Sequence, residues 1–551
     1  MGIVLDIGCG GKRVPVLLRL FEQYGCGWKS AKSASMLISC GYFVVVAFAL
    51  SKHEMWRDEI QPWLIARDSE SIHQLLRNLQ YENHPVLWQL LLMPLTRISP
   101  SPELMQVLHL CIATSIVYIV TRYSPLSCLQ LLLFPLGFFT AWQYSVVSRD
   151  YAIGILFLVI FCALYPRRNK LFPLIGAVLM LAANTHALVL LLVIAISIGL
   201  AVEMWMLLAN NPDELDSKRI REVIGGFGLI VLGIITSLVQ LVPRNDYEGP
   251  TTSTFRSLRD HAVTIGSISF LGGTLFLFLL YHFRDRLSRL ILYGLGAIGV
   301  VLYFDAKVLG AIPGAPGIRV FALIGLAAYL FMLYQLRGRL SLLIIYGLGT
   351  AGLLVFFSGI SSGGPHHHGM LFVIYFIAYW LECLTRSKAC DPMQSWWDRN
   401  GVDLIFTLVL ISQSVFGIKA LYQDITTPYS NGKDVARYIQ SQGLQDLPIA
   451  GCIDYSASTV VGYLGVKQIY YPQGERWGSY IVWDKQRLEN AGLDNCLQSA
   501  ASLGSDVLVV SSYTRDSPLS GHPFRKIAEF RGALREDENF DVYRGGHPVL
   551  R

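Results

Sequence analysis

Hydrophobic residues in this 551-residue chain fall in long unbroken runs, not in strand-like alternation. A helix that crosses a bilayer needs roughly 20 mostly apolar residues. Stretches meeting that demand lie at 34–51, 103–121, 125–143, 151–165, 171–187, 188–208, 222–243, 262–282, 288–304, 318–335, 340–358, 369–384 and 402–420. The pattern predicts a polytopic α-helical membrane protein with about 13 transmembrane helices. Asn184-Thr185-His186 interrupts the fifth and sixth runs, predicting either two short spans that meet or one broken helix that turns back. Between the first two runs, Ile72, Leu75, Leu76 and Leu79 recur at helical spacing within an otherwise polar stretch, 52–102. That loop is expected to hold helices lying along the membrane surface, with Trp56, Trp63 and Trp88 in the interfacial belt. From about Tyr422 the chain turns polar. Strand-like runs at 447–453, 468–471 and 506–511 alternate with helix-like stretches at 433–442 and 484–501, which predicts a small α/β domain. The expected organisation is an N-terminal segment over 1–33, a membrane domain over 34–420 and a soluble α/β domain over 421–551.

Composition agrees. Hydrophobic residues make up 53% and charged residues 15% of the chain, against about 25% charged in an ordinary soluble protein. The net charge of +6 matters through its placement. With the N-terminus inside, Arg122, Arg167, Arg168, Lys170, Lys218, Arg219, Arg221, Arg284, Arg286, Arg289, Arg337, Arg339, Arg386, Lys388 and Arg399 all fall on one side, as the positive-inside rule requires. The stretch 52–97, on the other side, breaks the rule with five basic residues, which marks it as a place to look for function. The first apolar run lacks a small-residue cleavage site and is expected to be a retained span. The expected location is a multi-pass position in a bacterial plasma membrane rather than the endoplasmic reticulum, since the C-terminus carries no retention signal, with the soluble domain outside. The ten Cys show no CxxC pairs; Cys452 and Cys496 read as two buried thiols in preference to a disulfide. Nothing indicates a nucleic-acid partner.

The first outer loop opens on Asp58-Glu59. Paired carboxylates at the mouth of a span are costly to bury without a purpose; they suit a general base or metal ligand, and equally a helix cap. Arg149 is the lone cation of its loop and can fork onto phosphate oxygens or pair with Asp150. Arg319 is a second phosphate candidate, or a residue snorkelling to the interface. His84, His186 and the run His366-His367-His368, read as a flexible Gly-rich loop, are expected to face outward and to contact substrate rather than ligate a metal. The aromatics Tyr470, Tyr471, Trp477 and Trp483 suit either a sugar surface or an ordinary domain core.

Asp58-Glu59 just after the first span, His84-Pro85-x-Leu87-Trp88 some 25 residues on, and Tyr144-Ser145-x-x-Ser148-Arg149-Asp150-Tyr151 together resemble the GT-C glycosyltransferases. The branch they most resemble contains the protein O-mannosyltransferases and the aminoarabinose transferases of lipid A. His84-Pro85-Val86 departs from that pattern by having a single proline. The resemblance covers roughly 34–210. It implies an enzyme that moves a sugar from a polyprenyl-phosphate carrier to a protein, lipid or glycan acceptor on the outer face, with inversion. It further implies Asp58 as general base, Glu59 as its support, and contact of Arg149, Asp150, His84, His186, Arg319 and His366–His368 with substrate, a divalent metal ion being an open possibility. A flippase for lipid-linked sugars and a non-catalytic scaffold are the competing expectations.

Overall fold

The computed structural model describes residues 32–82, 84–210, 216–249, 328–359, 363–386, 396–488, 492–513 and 523–546. The spans expected at 262–282 and 288–304, most of that at 318–335, nearly all of the N-terminal segment, and Arg319 lie outside them.

The membrane part begins with α1 (Lys32–Leu50). The loop after α1 forms α2 (Arg57–Asp68), α3 (Ile72–Asn78) and α4 (Leu87–Ile98). Then come α5 (Glu103–Tyr123), α6 (Cys128–Leu133), α7 (Tyr151–Leu164), α8 (Arg168–Ala183), α9 (Ala187–Asn210) and α10 (Ser217–Leu241). A helix over 328–336 (α11) precedes α12 (Leu340–Gly359), α13 (Pro365–Thr385) and α14 (Trp396–Thr426). Eight segments among the described residues are long and apolar enough to cross a membrane, with α7 and α8 counted as one. The chain is therefore an integral membrane protein. The break at Asn184–His186 separates α8 from α9, as expected.

The run 125–143 is not one span. It is α6, a 3₁₀ turn (Phe134–Leu136) and a π turn (Phe138–Gln143). Pro135 lacks an N–H, and Gly137 sits in extended conformation at φ −62°, ψ 149°, so the helical ladder cannot pass through. Elsewhere α8 and α10 cross backbone to backbone: a Cβ on Gly176 would lie 2.4 Å from the carbonyl oxygen of Gly226. Close approach through small residues is a common way for membrane helices to pack.

The polar C-terminal part is α15 (Gly432–Ser441), β1 (Ile449–Cys452), α16 (Asp454–Leu464), β2 (Ile469–Tyr471), β3 (Arg476–Gly478), α17 (Leu493–Ala501), β4 (Val507–Ser511), β5 (Phe524–Phe530) and β6 (Phe540–Gly545). Its six-stranded sheet has the order β3-β2-β1-β4-β6-β5. The centre, β2-β1-β4, is parallel and the remaining pairings are antiparallel. The buried runs Ile449–Cys452 and Val507–Ser511 read as central strands because both their faces are covered. Cys452 and Cys496 are disulfide-bonded, which corrects the reading of two free thiols. Strand β1 and helix α17 bring their Cα atoms to 5.8 Å, within bridging distance. A disulfide fits an oxidising compartment.

One continuous buried apolar cluster runs from the membrane helices through α2 and α4 to one face of the sheet. Trp63 and Trp88 are fully buried in it and Trp56 is 5% exposed. The interfacial-belt reading of these tryptophans is thus corrected: Trp63 donates to the Pro100 carbonyl at 3.4 Å, Trp88 packs on His109 of α5, and the soluble domain covers Trp56 through Tyr429 and Arg535. The cover is polar as well as apolar. Gln61 donates to the Ile481 carbonyl at 3.0 Å and accepts from the Ile481 N–H at 3.1 Å. The Met55 N–H donates to the Tyr463 hydroxyl at 2.7 Å, and Lys433 pairs with Glu103 at 2.6 Å. Helix α16 lies against α2 at Gly462, where a Cβ would come within 2.6 Å of Ile60.

Candidate active site

The acidic pair sits in the first turn of α2, where successive side chains point about 100° apart. That rotation sends the two carboxylates to different surroundings. Glu59 is fully buried and reaches back to accept from the Trp56 N–H at 3.3 Å, from the Ser148 N–H at 2.6 Å and from His53 Nε2 at 3.0 Å. It is the helix cap, and it also ties α2 to the loop before α7. The next residue of that loop is Arg149. Its Nη1 stands 3.1 Å from Asp58 Oδ2, whose side chain is 32% exposed. The Glu59–Ser148 bond thereby sets the register that brings Asp58 to Arg149. Arg149 pairs with Asp58 and not with its neighbour Asp150.

Behind Glu59, His53 bridges to Asp424 near the end of α14. His53 Nδ1 lies 3.0 Å from Asp424, which also accepts from the Trp142 indole at 3.1 Å. Burial alone would push His53 down, but the carboxylates of Asp424 and Glu59 on either side lift it to about 10. The imidazolium is a buried tie between the loop after α1 and the end of α14.

The rings expected to face outward do gather. Tyr151 is their centre. Its ring centroid lies 4.2 Å from that of His186, 5.7 Å from His366 and 6.0 Å from His367, and Arg149 sits 5.3 Å away over the same ring. His84 lies 5.3 Å from His186. The histidine run is not a loop, which corrects the flexible reading. Pro365 opens α13, so His366–His368 form its first turn. The Tyr144 hydroxyl donates to the His366 carbonyl at 2.5 Å, and the Gly364 N–H donates to His367 Nδ1 at 2.9 Å. Helical geometry then splits the three: His366 and His367 face Tyr151, while His368 packs on Phe357 of α12.

His84, Asp150 and His186 offer ligand atoms within 4.8 Å of one another, a spacing that can hold a metal ion. Their hydrogen bonds fit only part of that role. His84 Nδ1 donates to the Glu82 carbonyl at 2.6 Å and leaves Nε2 as a lone pair, the usual orientation of a metal-ligating histidine. His186 caps α9, its Nδ1 accepting from the Leu188 N–H at 3.0 Å. That assigns the proton of neutral His186 to Nε2, which then donates and does not ligate. The trio presents donors and acceptors together, a set suited to hydroxyl groups. Burial raises Asp150 above its ordinary range, opposed by His84 and Arg149.

Several members of the site carry no signal in the sequence, among them His53, Asp424 and Glu82. Glu82 accepts from Gln61 Nε2 at 2.7 Å; burial pushes it to about 8, with the charge of Asp58 adding to the rise. A carboxyl group raised in this way is neutral when folded and ionises on unfolding, so wild-type stability falls as pH climbs from 4.5 to 8. Glu82→Gln should therefore melt above wild type by a margin that widens between pH 5 and 8 and levels off beyond. Parallel melting curves across that range would show the carboxyl group to be solvated. In the soluble domain the core reading holds for Tyr471, which is 3% exposed and donates to the Ser479 carbonyl at 2.8 Å. Tyr470 is half-buried beside Trp477, which is exposed, and Trp483 lies under Arg487.

No family model and no curated protein matches the sequence. Among solved structures the chain is similar to the crystal structure of ArnT from Cupriavidus metallidurans bound to undecaprenyl phosphate, at 14% identity and a TM-score of 0.47. It is similar also to the apo structure of the same protein, at 13% identity and a TM-score of 0.49. Each match covers 93% of this chain and 98% of the other.

Proposed function

We propose that the chain is a membrane glycosyltransferase of GT-C type, moving a sugar from a polyprenyl-phosphate carrier to an acceptor hydroxyl on the outer face, with inversion at the anomeric carbon. The observation that carries this reading is the Asp58–Arg149 pair: a partly exposed carboxylate held 3.1 Å from a guanidinium by the buried Glu59–Ser148 bond. Asp58 takes the proton of the acceptor hydroxyl as that oxygen attacks the anomeric carbon. The bond from that carbon to the phosphate oxygen breaks, and its electron pair leaves with the lipid phosphate. Negative charge thus disappears from Asp58 as it grows on the phosphate. Arg149, beside both, shifts its interaction from one to the other without moving far. A fixed cation aimed at developing charge is the strongest device an active site has. His84, Asp150 and His186 hold hydroxyls of the transferred sugar, with His366 and His367 beside them against the Tyr151 ring.

The test is transfer by the purified protein in liposomes supplied with a polyprenyl-phosphate donor carrying labelled sugar. Label should leave the lipid and appear in acceptor, with one free polyprenyl phosphate formed per sugar moved. A flippase would carry intact donor across the bilayer without consuming it, and a scaffold would do neither.

A further inference from the structure

We propose that the soluble domain supplies half of the phosphate site: Arg535, with Arg149, forms a two-armed clamp for the phosphate of a membrane lipid. This rests on the reading of the site as one that binds a lipid phosphate.

Arg535 lies in the turn between β5 and β6. Its backbone N–H donates to the Tyr429 carbonyl at 3.1 Å, which fixes the turn against the chain leaving α14. From there the guanidinium stands 4.0 Å from the ring centroid of Trp56, two residues before Asp58. Its Nε is shielded from solvent and makes no hydrogen bond; Asp537 is 3.5 Å away. Asp537 is also bonded to Arg57, so its charge is shared between two arginines. Arg149 is in the same condition. Its Nη1 is shielded and within ion-pair distance of Asp58, but out of line for a hydrogen bond. Both guanidinium groups border the first turn of α2, Arg535 over Trp56 and Arg149 beside Asp58 two residues on.

Shielded N–H groups of a charged side chain are costly to leave unbonded, and such exceptions call for an explanation. Two of them, from two domains, flank one turn of α2. An anion between them satisfies both: each guanidinium presents a planar fork that matches phosphate oxygens. Two arms match the leaving group better than the donor. The sugar-bearing phosphodiester has one negative charge, and the released monoester carries between one and two at neutral pH. The clamp therefore strengthens as the glycosidic bond breaks. The soluble domain becomes part of the active site, not a cover over it.

The experiment measures binding of undecaprenyl phosphate, neutral undecaprenol and inorganic phosphate to the full-length protein in nanodiscs. Wild type should prefer undecaprenyl phosphate to undecaprenol. Arg535→Gln should weaken undecaprenyl phosphate on the order of 10- to 100-fold, as loss of a charge-assisted hydrogen bond does, and leave undecaprenol unchanged. Arg535→Met keeps a long stem on Trp56 without the charge and should behave as Arg535→Gln does. Wild-type affinity in both variants, with loss in Arg149→Gln, would overturn the clamp while sparing the rest of the site. Competition by inorganic phosphate as strong as by the lipid would also overturn it, since the site would then take a free ion and not a lipid headgroup. Failure of wild type itself to prefer undecaprenyl phosphate would instead sink the glycosyltransferase reading.

Discussion

Asp58→Asn should lower sugar transfer on the order of 10²- to 10⁴-fold, the range a positioned proton acceptor contributes, with little change in melting temperature. The two effects separate because Asp58 is partly exposed, with ion pairs to Arg149 and Arg57 at its open side, so an amide of the same shape fits its place. The neighbouring substitution should behave in the opposite way. Glu59 is fully buried and accepts from two backbone N–H groups and from His53. Glu59→Gln leaves the imidazolium of His53 short of one counter-charge and puts an amide N–H₂ where acceptors are needed, so it should lower stability first and activity through it. A kinetic assay and a melting curve on both variants read this directly. Asp58→Asn with unchanged transfer removes Asp58 from the chemistry; Glu59→Gln that melts normally but is inactive exchanges the roles.

The second large effect is expected far from the chemistry. Asp424→Ala removes one of the two carboxylates that hold His53 and the acceptor for the Trp142 indole. Breaking a buried ion pair by deleting one partner costs about 3–5 kcal/mol, because the remaining charge is left without compensation. The pH dependence identifies the cause. His53 has its ordinary value near 6.5 when unfolded and about 10 when folded. Its charged contacts therefore stabilise the fold fully below pH 6.5, and that contribution fades as pH rises towards 10. Wild-type melting temperature should decline over that interval while that of Asp424→Ala stays flatter. Equal slopes would show that His53 is neutral in the folded protein.

How much of this was open to inspection in the sequence depends on range. Most spans among the described residues, the helix within 72–79, the break at Asn184–His186 and the alternation of strands and helices near the C-terminus are local patterns that periodicity places, whereas 125–143 is not one helix and the stretch 484–501 is helical only from Leu493. Helical phase was the first thing missed. Asp58 and Glu59 are neighbours in the chain but their carboxylates have different partners, and His366 to His368 look like a loop until Pro365 is recognised as the first residue of a helix. Distance along the chain was the second. His53 with Asp424, Gln61 with Ile481 and Arg535 with Trp56 pair residues whose partners are hundreds of positions away, and nothing about His53 or Arg535 alone distinguishes them from surface residues. Trp56 was misplaced for the same reason: an amphipathic ring suits an interface unless another domain covers it, and its cover is Tyr429 and Arg535 from the far end of the chain.

The span between His53 and Asp424 has a consequence for how the molecule is made. The two residues are 371 positions apart, so at about 5–20 residues per second the ribosome delivers the second about 20–70 s after the first. During that interval His53 and Glu59 have left the first membrane helix without the carboxylate that completes their network, and α2 has no sheet to lie against. The loop that carries Asp58 is among the first parts of the protein to be made and among the last to be fastened. Biogenesis of this chain must keep a loop with buried charge and three tryptophans from settling elsewhere until the final helix arrives. A nascent chain halted before Asp424 should show Trp56, which packs on Tyr429 and Arg535, open to quenchers and α2 open to proteases.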